Sequence, residues 1–209
     1  MEKELVKALH NRISAGLPGN KAHHVMAPRS IHSYQNLPSN YNKAAVLALI
    51  FKENNDLNLC YIKRTSHHQK DKHAGQISFP GGKLEPHDES LLSCAIRETH
   101  EEIGILPQSI QTIGSLSPLY IAASNFHVSP FLAFLEGKPQ FSLEKSEVES
   151  IIPMKIETLL NPHTKKQTSL KIRDVILNNV PYYQLENEIL WGATAMISAE
   201  IEALLRDVY

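Results

Sequence analysis

Three glutamates stand close together in "RETHEEIGI", residues 97–105. On a helix that turns about 100° per residue, Glu98, Glu101 and Glu102 fall within an arc of about 100° on one face. Like charges at this spacing destabilise a helix by about 0.2–0.5 kcal/mol per pair. A hard divalent cation would offset the repulsion, because such ions prefer oxygen ligands. The spacing therefore indicates a carboxylate site for Mg²⁺ or Mn²⁺.

The flanking residues argue against a merely solvated acidic face, which is the commoner explanation of such a cluster. Gly81 and Gly82 precede the predicted helix and permit a close approach of backbone, and Gly104 follows it. Arg97 stands four residues before Glu101 and can form an ion pair with it. A strand, a glycine loop and an acidic helix together can hold a metal ion against a phosphate.

The elements that must position these residues follow from the apolar pattern. Residues 44–64, "AAVLALIFKENNDLNLCYIKR", predict two strands joined by a tight turn. A helix is predicted from about Glu89 to Ile103, with Asp88 as its N-cap and Gly104 as its stop. The other predicted elements are helices at 2–15, 155–160 and 191–206 and strand-like runs at 110–119, 126–135, 147–152, 170–177 and 181–185. This order, which has no repeating βα period, predicts an α+β sandwich or an α/β/α layering.

The bulk composition narrows the classes of protein to which the chain can belong. With 42% hydrophobic and 21% charged residues, it has the composition of a globular protein. Its net charge of −1 gives no general attraction to nucleic acid, and no apolar run reaches the ~18 residues that a membrane helix needs. Two cysteines form no disulfide framework, so we expect a cytoplasmic protein. We predict an N-terminal helix and connecting arm over 1–42 and one domain over 43–209, in a monomer or homodimer.

Residues 81–105, "GGKLEPHDESLLSCAIRETHEEIGI", resemble the Nudix box. That pattern is a Gly, five residues, a Glu, seven residues and then Arg-Glu-aliphatic-x-Glu-Glu-x-Gly-aliphatic. The matching positions are Gly82, Arg97, Glu98, Glu101, Glu102, Gly104 and Ile105. The chain departs from the pattern in having Asp88 in place of the first Glu, one extra residue before Arg97, and Thr99 in place of the aliphatic residue.

The resemblance implies a Nudix-type α/β/α sandwich with a mixed β-sheet, formed by the domain 43–209. It implies that Glu98, Glu101 and Glu102 bind the metal ion and that Arg97 orients these glutamates by ion pairing.

The segment before the box, "HAGQISFPGG" at residues 73–82, resembles the coenzyme A diphosphatase branch of the Nudix superfamily. That branch also has an Arg upstream, here Arg64, although the spacer to His73 is about two residues longer than usual. It tolerates two of the departures in the box, and "ILWGATAMI" resembles its C-terminal helix. The resemblance implies hydrolysis of CoA or an acyl-CoA to adenosine 3',5'-bisphosphate and (acyl-)4'-phosphopantetheine. The implied substrate-binding residues are Arg64, His73, Gly75, Gly81 and Gly82.

A further acid is expected outside the box, because the attacking water needs a proton acceptor or the metal an extra ligand. The segment "SLEKSEVESIIPM", residues 142–154, offers Glu144, Glu147 and Glu149 ahead of an apolar run. A Glu-Val pair recurs here in the CoA branch, which selects Glu147. On a strand, Glu147 and Glu149 would point to the same face, so geometry alone does not separate them. A solvated acidic loop is the alternative.

Two other functions stay open at this point. The first is a Nudix hydrolase acting on ADP-ribose, a dinucleoside polyphosphate or a nucleoside triphosphate, which would share the box without the upstream block. The second is a non-catalytic Nudix domain that serves as a sensor or scaffold. All three box glutamates are present, which favours an enzyme.

Overall fold

A computed structural model describes residues 2–28, 37–66, 74–172 and 175–209 of the chain. The α-helices are α1 (Glu2–Ala15), α2 (Asn20–His23), α3 (Leu91–Ile103), α4 (Ile156–Leu160) and α5 (Gly192–Arg206). The strands are β1 (Asn42–Glu53), β2 (Asp56–Arg64), β3 (Ile77–Ser78), β4 (Gly81–Lys83), β5 (Ile110–Ser115), β6 (Leu119–Ile121), β7 (Phe126–Leu135), β8 (Val148–Lys155), β9 (Lys165–Ile172), β10 (Val175–Leu185) and β11 (Glu188–Trp191).

The larger sheet is mixed. Its main path runs β3-β2-β1-β7-β5, with β4 paired to β1, β6 to β7 and β8 to β2. Strands β1 and β7 run parallel, and the other pairs are antiparallel. The predicted β1–β2 hairpin is confirmed, and its turn residues Asn54 and Asn55 have positive φ angles of 49° and 69°. Asn tolerates this conformation, which tight hairpin turns require.

Helices cover both faces of this sheet. Alternate residues of β1 contribute to opposite cores: Leu47, Leu49 and Phe51 pack on the side of α3, and Ala48 and Ile50 on the side of α1 and α5. A strand buried on both faces reads as a continuous apolar run, as β1 does. A smaller sheet, β11-β10-β9, adjoins α5. The predicted α/β/α sandwich with a mixed sheet is confirmed.

The N-terminal segment packs against this sandwich. Leu5 and Leu9 of α1 are buried in the same core as α5, and His10 Nδ1 lies 2.8 Å from the carbonyl oxygen of Ile113 on β5. The division of the chain at residue 42 stays a prediction. Among the described residues, no helix combines the length and apolar character needed to cross a membrane.

Three predicted boundaries are wrong. The run 110–119 is interrupted after Ser115, and the run 170–177 is divided between β9 and β10. Helix α3 begins at Leu91 and not at Glu89, and its N-cap is Ser90. The Ser90 hydroxyl accepts a hydrogen bond from Ser93 N at 3.0 Å, and Ser93 Oγ accepts one from Ser90 N at 2.8 Å. This reciprocal capping box satisfies the helix end without Asp88.

Candidate active site

Asp88, predicted as the N-cap, binds Arg97 instead. Arg97 Nε donates to Asp88 Oδ1 at 2.8 Å and Nη2 to Oδ2 at 3.0 Å, a bidentate geometry that guanidinium groups favour. The carboxylate also accepts from the backbone N–H of Glu85 at 2.9 Å. Hydrogen bonding from Arg97 holds the pKa of Asp88 well below its usual range. Asp88 stands in place of the first Glu of the box pattern, and this position is the sequence signal that could have indicated its pairing with Arg97.

Arg97 also contacts two of the three helix glutamates. Its Nη1 donates to Glu101 Oε2 at 2.7 Å, which confirms the predicted i,i+4 ion pair. Its Nη2 lies 2.9 Å from Glu98 Oε1. Because Arg97 is anchored on Asp88, it fixes the Glu98 and Glu101 side chains from a rigid point.

Glu102 is the buried member of the cluster, with 2% of its side chain exposed. Its Oε2 accepts from the backbone N–H of Gly81 at 2.9 Å, and its Oε1 accepts from Arg64 Nη1 at 3.3 Å. Burial raises the pKa of Glu102 to about 8, against the opposing effects of the Gly81 N–H and Arg64. The negative charges of Glu98 and Glu147 contribute to this raised value.

Glu98 lies directly over the glycine loop. A Cβ atom at Gly82 would lie 2.5 Å from its carboxyl carbon, so only glycine leaves room for this side chain. Burial raises the pKa of Glu98, Arg97 lowers it, and the negative charges of Glu101 and Glu147 raise it again. Gly81 has a φ of 148°, and a Cβ there would collide with the backbone of β1. The predicted close approach at both glycines is confirmed.

The structure distinguishes the two acids ahead of the apolar run in β8. The charge of Glu147 raises the pKa of both Glu98 and Glu102, and the segment that carries it is bonded to the end of α3, where Glu144 N donates to the Glu102 carbonyl oxygen at 2.9 Å. Glu149 points elsewhere and pairs with Lys63 Nζ at 3.1 Å. The expectation that both lie on one strand face is wrong, because β8 begins at Val148 and its pairing with β2 shifts register at this point.

The proposed substrate-binding residues are only partly described. Arg64, which ends β2, directs its guanidinium at Glu102, and Gly81 and Gly82 form β4 beside the carboxylates. Gly75 has a φ of 72°, a conformation that favours glycine. His73 lies outside the described residues.

The donor set is of the chemical kind that a hard divalent cation binds. Within the described ranges, no three His, Cys, Asp or Glu side chains form a group that could hold a metal ion in their present positions. The charge of Glu98 raises the pKa of Glu102, and the charge of Glu147 raises the pKa of both. Carboxylate oxygens are the ligands that Mg²⁺ and Mn²⁺ take in proteins. Glu98 and Glu102 would hold the cation, and Glu101 lies one helical turn from Glu98. The bound ion would relieve the repulsion between these carboxylates, which burial intensifies.

Comparison with known proteins shows which family and which individual proteins this chain is similar to. The model of the NUDIX domain family matches residues 41–173. The uncharacterised Nudix hydrolase NudL of Yersinia pestis is 32% identical over 167 residues, which cover 79% of this chain and 80% of the relative. NudL of Yersinia pseudotuberculosis matches equally.

Two solved structures share the fold. The Nudix hydrolase RenU from M. smegmatis has a TM-score of 0.55 and 11% identity, over 81% of this chain and 88% of that one. A MutT protein from Methanosarcina mazei Go1 has a TM-score of 0.50 and 17% identity, over 82% and 98%. These likenesses show the fold alone. With the family model matching residues 41–173 and the box glutamates clustered beside a glycine strand, the chain belongs to the Nudix hydrolase family.

Proposed function

We propose that this protein hydrolyses the pyrophosphate of CoA or an acyl-CoA, to adenosine 3',5'-bisphosphate and (acyl-)4'-phosphopantetheine. The observation that carries the proposal is the contact of Arg64 with Glu102 at 3.3 Å. It brings the Arg that lies upstream of the CoA-type block "HAGQISFPGG" next to the carboxylate cluster. A guanidinium here can bind pyrophosphate oxygens beside a metal site.

Members of the family generally use a divalent ion such as Mg²⁺ or Mn²⁺. In this chain Glu98, Glu101 and Glu102 would hold the ion, which when bound neutralises pyrophosphate charge and lowers the pKa of water. Arg97 holds Glu98 and Glu101 in place through its anchor on Asp88.

The remaining acids to be given a role are Glu102, which would bind the metal ion, and Glu147, which would act as the base. The Gly81 N–H orients the Glu102 carboxylate, and Glu147 accepts the proton of the attacking water. As the water oxygen bonds to one phosphorus, the bond from that phosphorus to the bridging oxygen breaks, and the other half of the substrate leaves as a phosphate monoester that keeps this oxygen. Most of the rate then comes from positioning and charge neutralisation.

The substrate would contact Arg64, His73, Gly75, Gly81 and Gly82, with the guanidinium and imidazole facing phosphate oxygens and the glycines allowing close approach of backbone.

We also propose residues 1–42 as a helix with a connecting arm and 43–209 as the catalytic domain. Localisation in the reducing cytoplasm is part of the proposal and is supported by two buried, unpaired thiols, Cys60 and Cys94.

A substrate panel tests the proposal. CoA, acetyl-CoA, ADP-ribose, a dinucleoside tetraphosphate and ATP are each incubated with the protein and Mg²⁺ or Mn²⁺, and the products are separated by chromatography. CoA or acetyl-CoA should turn over fastest and yield adenosine 3',5'-bisphosphate. Faster cleavage of ADP-ribose would assign the other Nudix activity, and no turnover of any substrate would leave a sensor or scaffold domain.

The Arg64 contact gives a second arm to the test. Arg64→Ala should raise KM for CoA mainly, because it removes a ground-state contact to phosphate. Lys63→Ala is the matched control, since Lys63 is already paired with Glu149 and Glu188 at 3.1 and 2.8 Å. An equal rise in KM for both variants would show that Arg64 has no specific role.

A further inference from the structure

The segment between β7 and β8, residues 136–147, lies across the C-terminal end of α3, and we call it the docking loop. Ser142 N donates to the carbonyl oxygen of Ile103 and Glu144 N to that of Glu102, both at 2.9 Å. A Cβ atom at Gly104 would lie 2.7 Å from Ser142 Cβ, so this close approach depends on glycine. The loop that carries Glu147 is therefore fixed directly to the helix that carries the box glutamates.

A compact turn precedes Glu147 within the docking loop. The Glu144 carbonyl oxygen accepts from Glu147 N at 3.0 Å and from Val148 N at 2.8 Å. The Glu144 side chain accepts from Ser146 N at 3.1 Å and from Ser146 Oγ at 2.8 Å. These bonds hold one side of the Glu147 backbone.

Thr65 holds the other side. It follows β2, next to Arg64, and is 7% exposed. Its Oγ1 donates to the Ser146 carbonyl oxygen at 2.9 Å, and its backbone N donates to the Glu147 carbonyl oxygen at 2.9 Å. Thr65 thus donates to the carbonyl groups of the two peptides that flank the Glu147 Cα atom.

We infer that Thr65 is a positioning residue for the proton-accepting acid. Its hydroxyl fixes the peptide before Glu147, so that the Glu147 carboxylate stays close to Glu98 and Glu102. The inference rests on the proposed function for the role of Glu147 and extends it to a side chain whose hydroxyl bonds the backbone next to that acid. Small displacements of a catalytic group cost up to ~10²-fold in rate, which makes a single buried hydroxyl significant.

A double-mutant cycle tests the inference. Thr65→Val keeps the shape and removes the donor, so it should lower kcat about tenfold with KM within about twofold. Thr65→Ser restores the hydroxyl and should restore kcat. In a Glu147→Gln background Thr65→Val should have no further effect, because it acts through Glu147. Thr164→Val is the matched control, since it removes a similar hydroxyl-to-carbonyl bond of 2.6 Å far from the site.

Amide hydrogen exchange adds a readout that needs neither metal nor substrate. The peptide over residues 142–148 should exchange faster in Thr65→Val than in wild type. In Thr164→Val its exchange rate should not change. If Thr65→Val does not fold, Thr65→Ala replaces it. Additive losses of kcat in the cycle, or unchanged exchange, would overturn the inference. The cycle uses whichever substrate turns over best, so a failure of the CoA assignment leaves this test intact.

Discussion

Helices α3 and α5 both bury glutamates, but the pKa is raised in Glu102 on α3 and lowered in Glu200 on α5. Glu102 on α3 is 2% exposed, and Glu200 and Glu202 on α5 are 0% and 3% exposed. The three side chains have the same chemistry and nearly the same depth. They differ only in the groups that surround their carboxylates.

Both carboxylates of α5 are well supplied with donors. Glu200 accepts from Gly19 N and Ser117 N at 3.0 Å and from Ser117 Oγ at 2.6 Å, and His23 Nε2 lies 3.2 Å away. Burial acts to raise the pKa of Glu200, but these hydrogen bonds outweigh it and the pKa lies below its usual value. Glu202 contacts the hydroxyl of Tyr183 at 2.6 Å and both Lys165 and Arg206 at 2.7 Å.

Glu102 has a weaker set of partners. It has one backbone N–H and a 3.3 Å contact to Arg64, so burial, together with the charges of Glu98 and Glu147, raises its pKa to about 8. Buried acids with sufficient donors tie α5 to the N-terminal segment and the smaller sheet. A buried acid that neighbouring acids repel marks a candidate functional site, here one for a cation and a phosphate.

The largest effect is expected at the metal ligands. Glu101→Gln or Glu102→Gln should lower activity by about 10³-fold without unfolding the protein, because each removes a charge that would hold the ion. Glu202→Gln is a matched change on α5. Turnover and circular dichroism measure the outcome, and near-wild-type turnover in both α3 variants, or full activity in excess EDTA, would contradict the account.

A smaller loss of rate is expected outside the box. Glu147→Gln should lower kcat by at least ~10²-fold, in the range of general base catalysis. Glu149→Gln should do less, because that carboxylate pairs with Lys63. Steady-state kinetics of both variants check the difference, and small, equal effects would leave the docking loop with no role in proton transfer.

On α5 the effect should fall on stability. Glu200→Ala leaves Ser117 and His23 without their buried partner and should lower the free energy of unfolding by about 3 kcal/mol or more. Activity per folded molecule should not change. Urea titration followed by fluorescence measures the loss, and a change below about 1 kcal/mol would show that these hydrogen bonds do not support the fold.

The pH dependence of stability should have opposite signs at the two helices. Glu102 has a raised pKa, so the native protein binds a proton there between about pH 4.3, the ordinary value, and about pH 8. Metal-free wild type should therefore lose stability relative to Glu102→Gln as pH rises through this window. Glu200 has a lowered pKa, so its contribution is present above about pH 4.3 and is lost at lower pH.

Urea titrations of wild type, Glu102→Gln and Glu200→Gln between pH 3.5 and 8.5 give both differences. Slopes of the same sign for the two variants would contradict the contrast between the helices.

Apart from the N-cap of α3, features set by neighbouring residues were predictable from the sequence, and features set by distant contacts were not. The Arg97–Glu101 pair, the stop at Gly104 and the β1–β2 hairpin depend on short spacings. The burial of Glu102 depends on an N–H that Gly81 contributes from another element, 21 residues away.

The same limit applies to the acids elsewhere in the chain. Glu147 and Glu149 could not be separated because a register shift between β2 and β8 divides them. Glu200 reads as one polar position on a helix, and its donors come from residues 19, 23 and 117.

Binding of Mn²⁺ tests the central contrast most directly. Free Mn²⁺ is measured by electron paramagnetic resonance during titration of metal-free wild type, Glu102→Gln and Glu200→Gln. Wild type and Glu200→Gln should bind the ion with similar affinity, and Glu102→Gln should bind it at least ~10-fold more weakly, as loss of a carboxylate ligand requires. Equal affinity in Glu102→Gln and wild type, or no binding by wild type, would contradict the assignment of the α3 carboxylates to a metal ion.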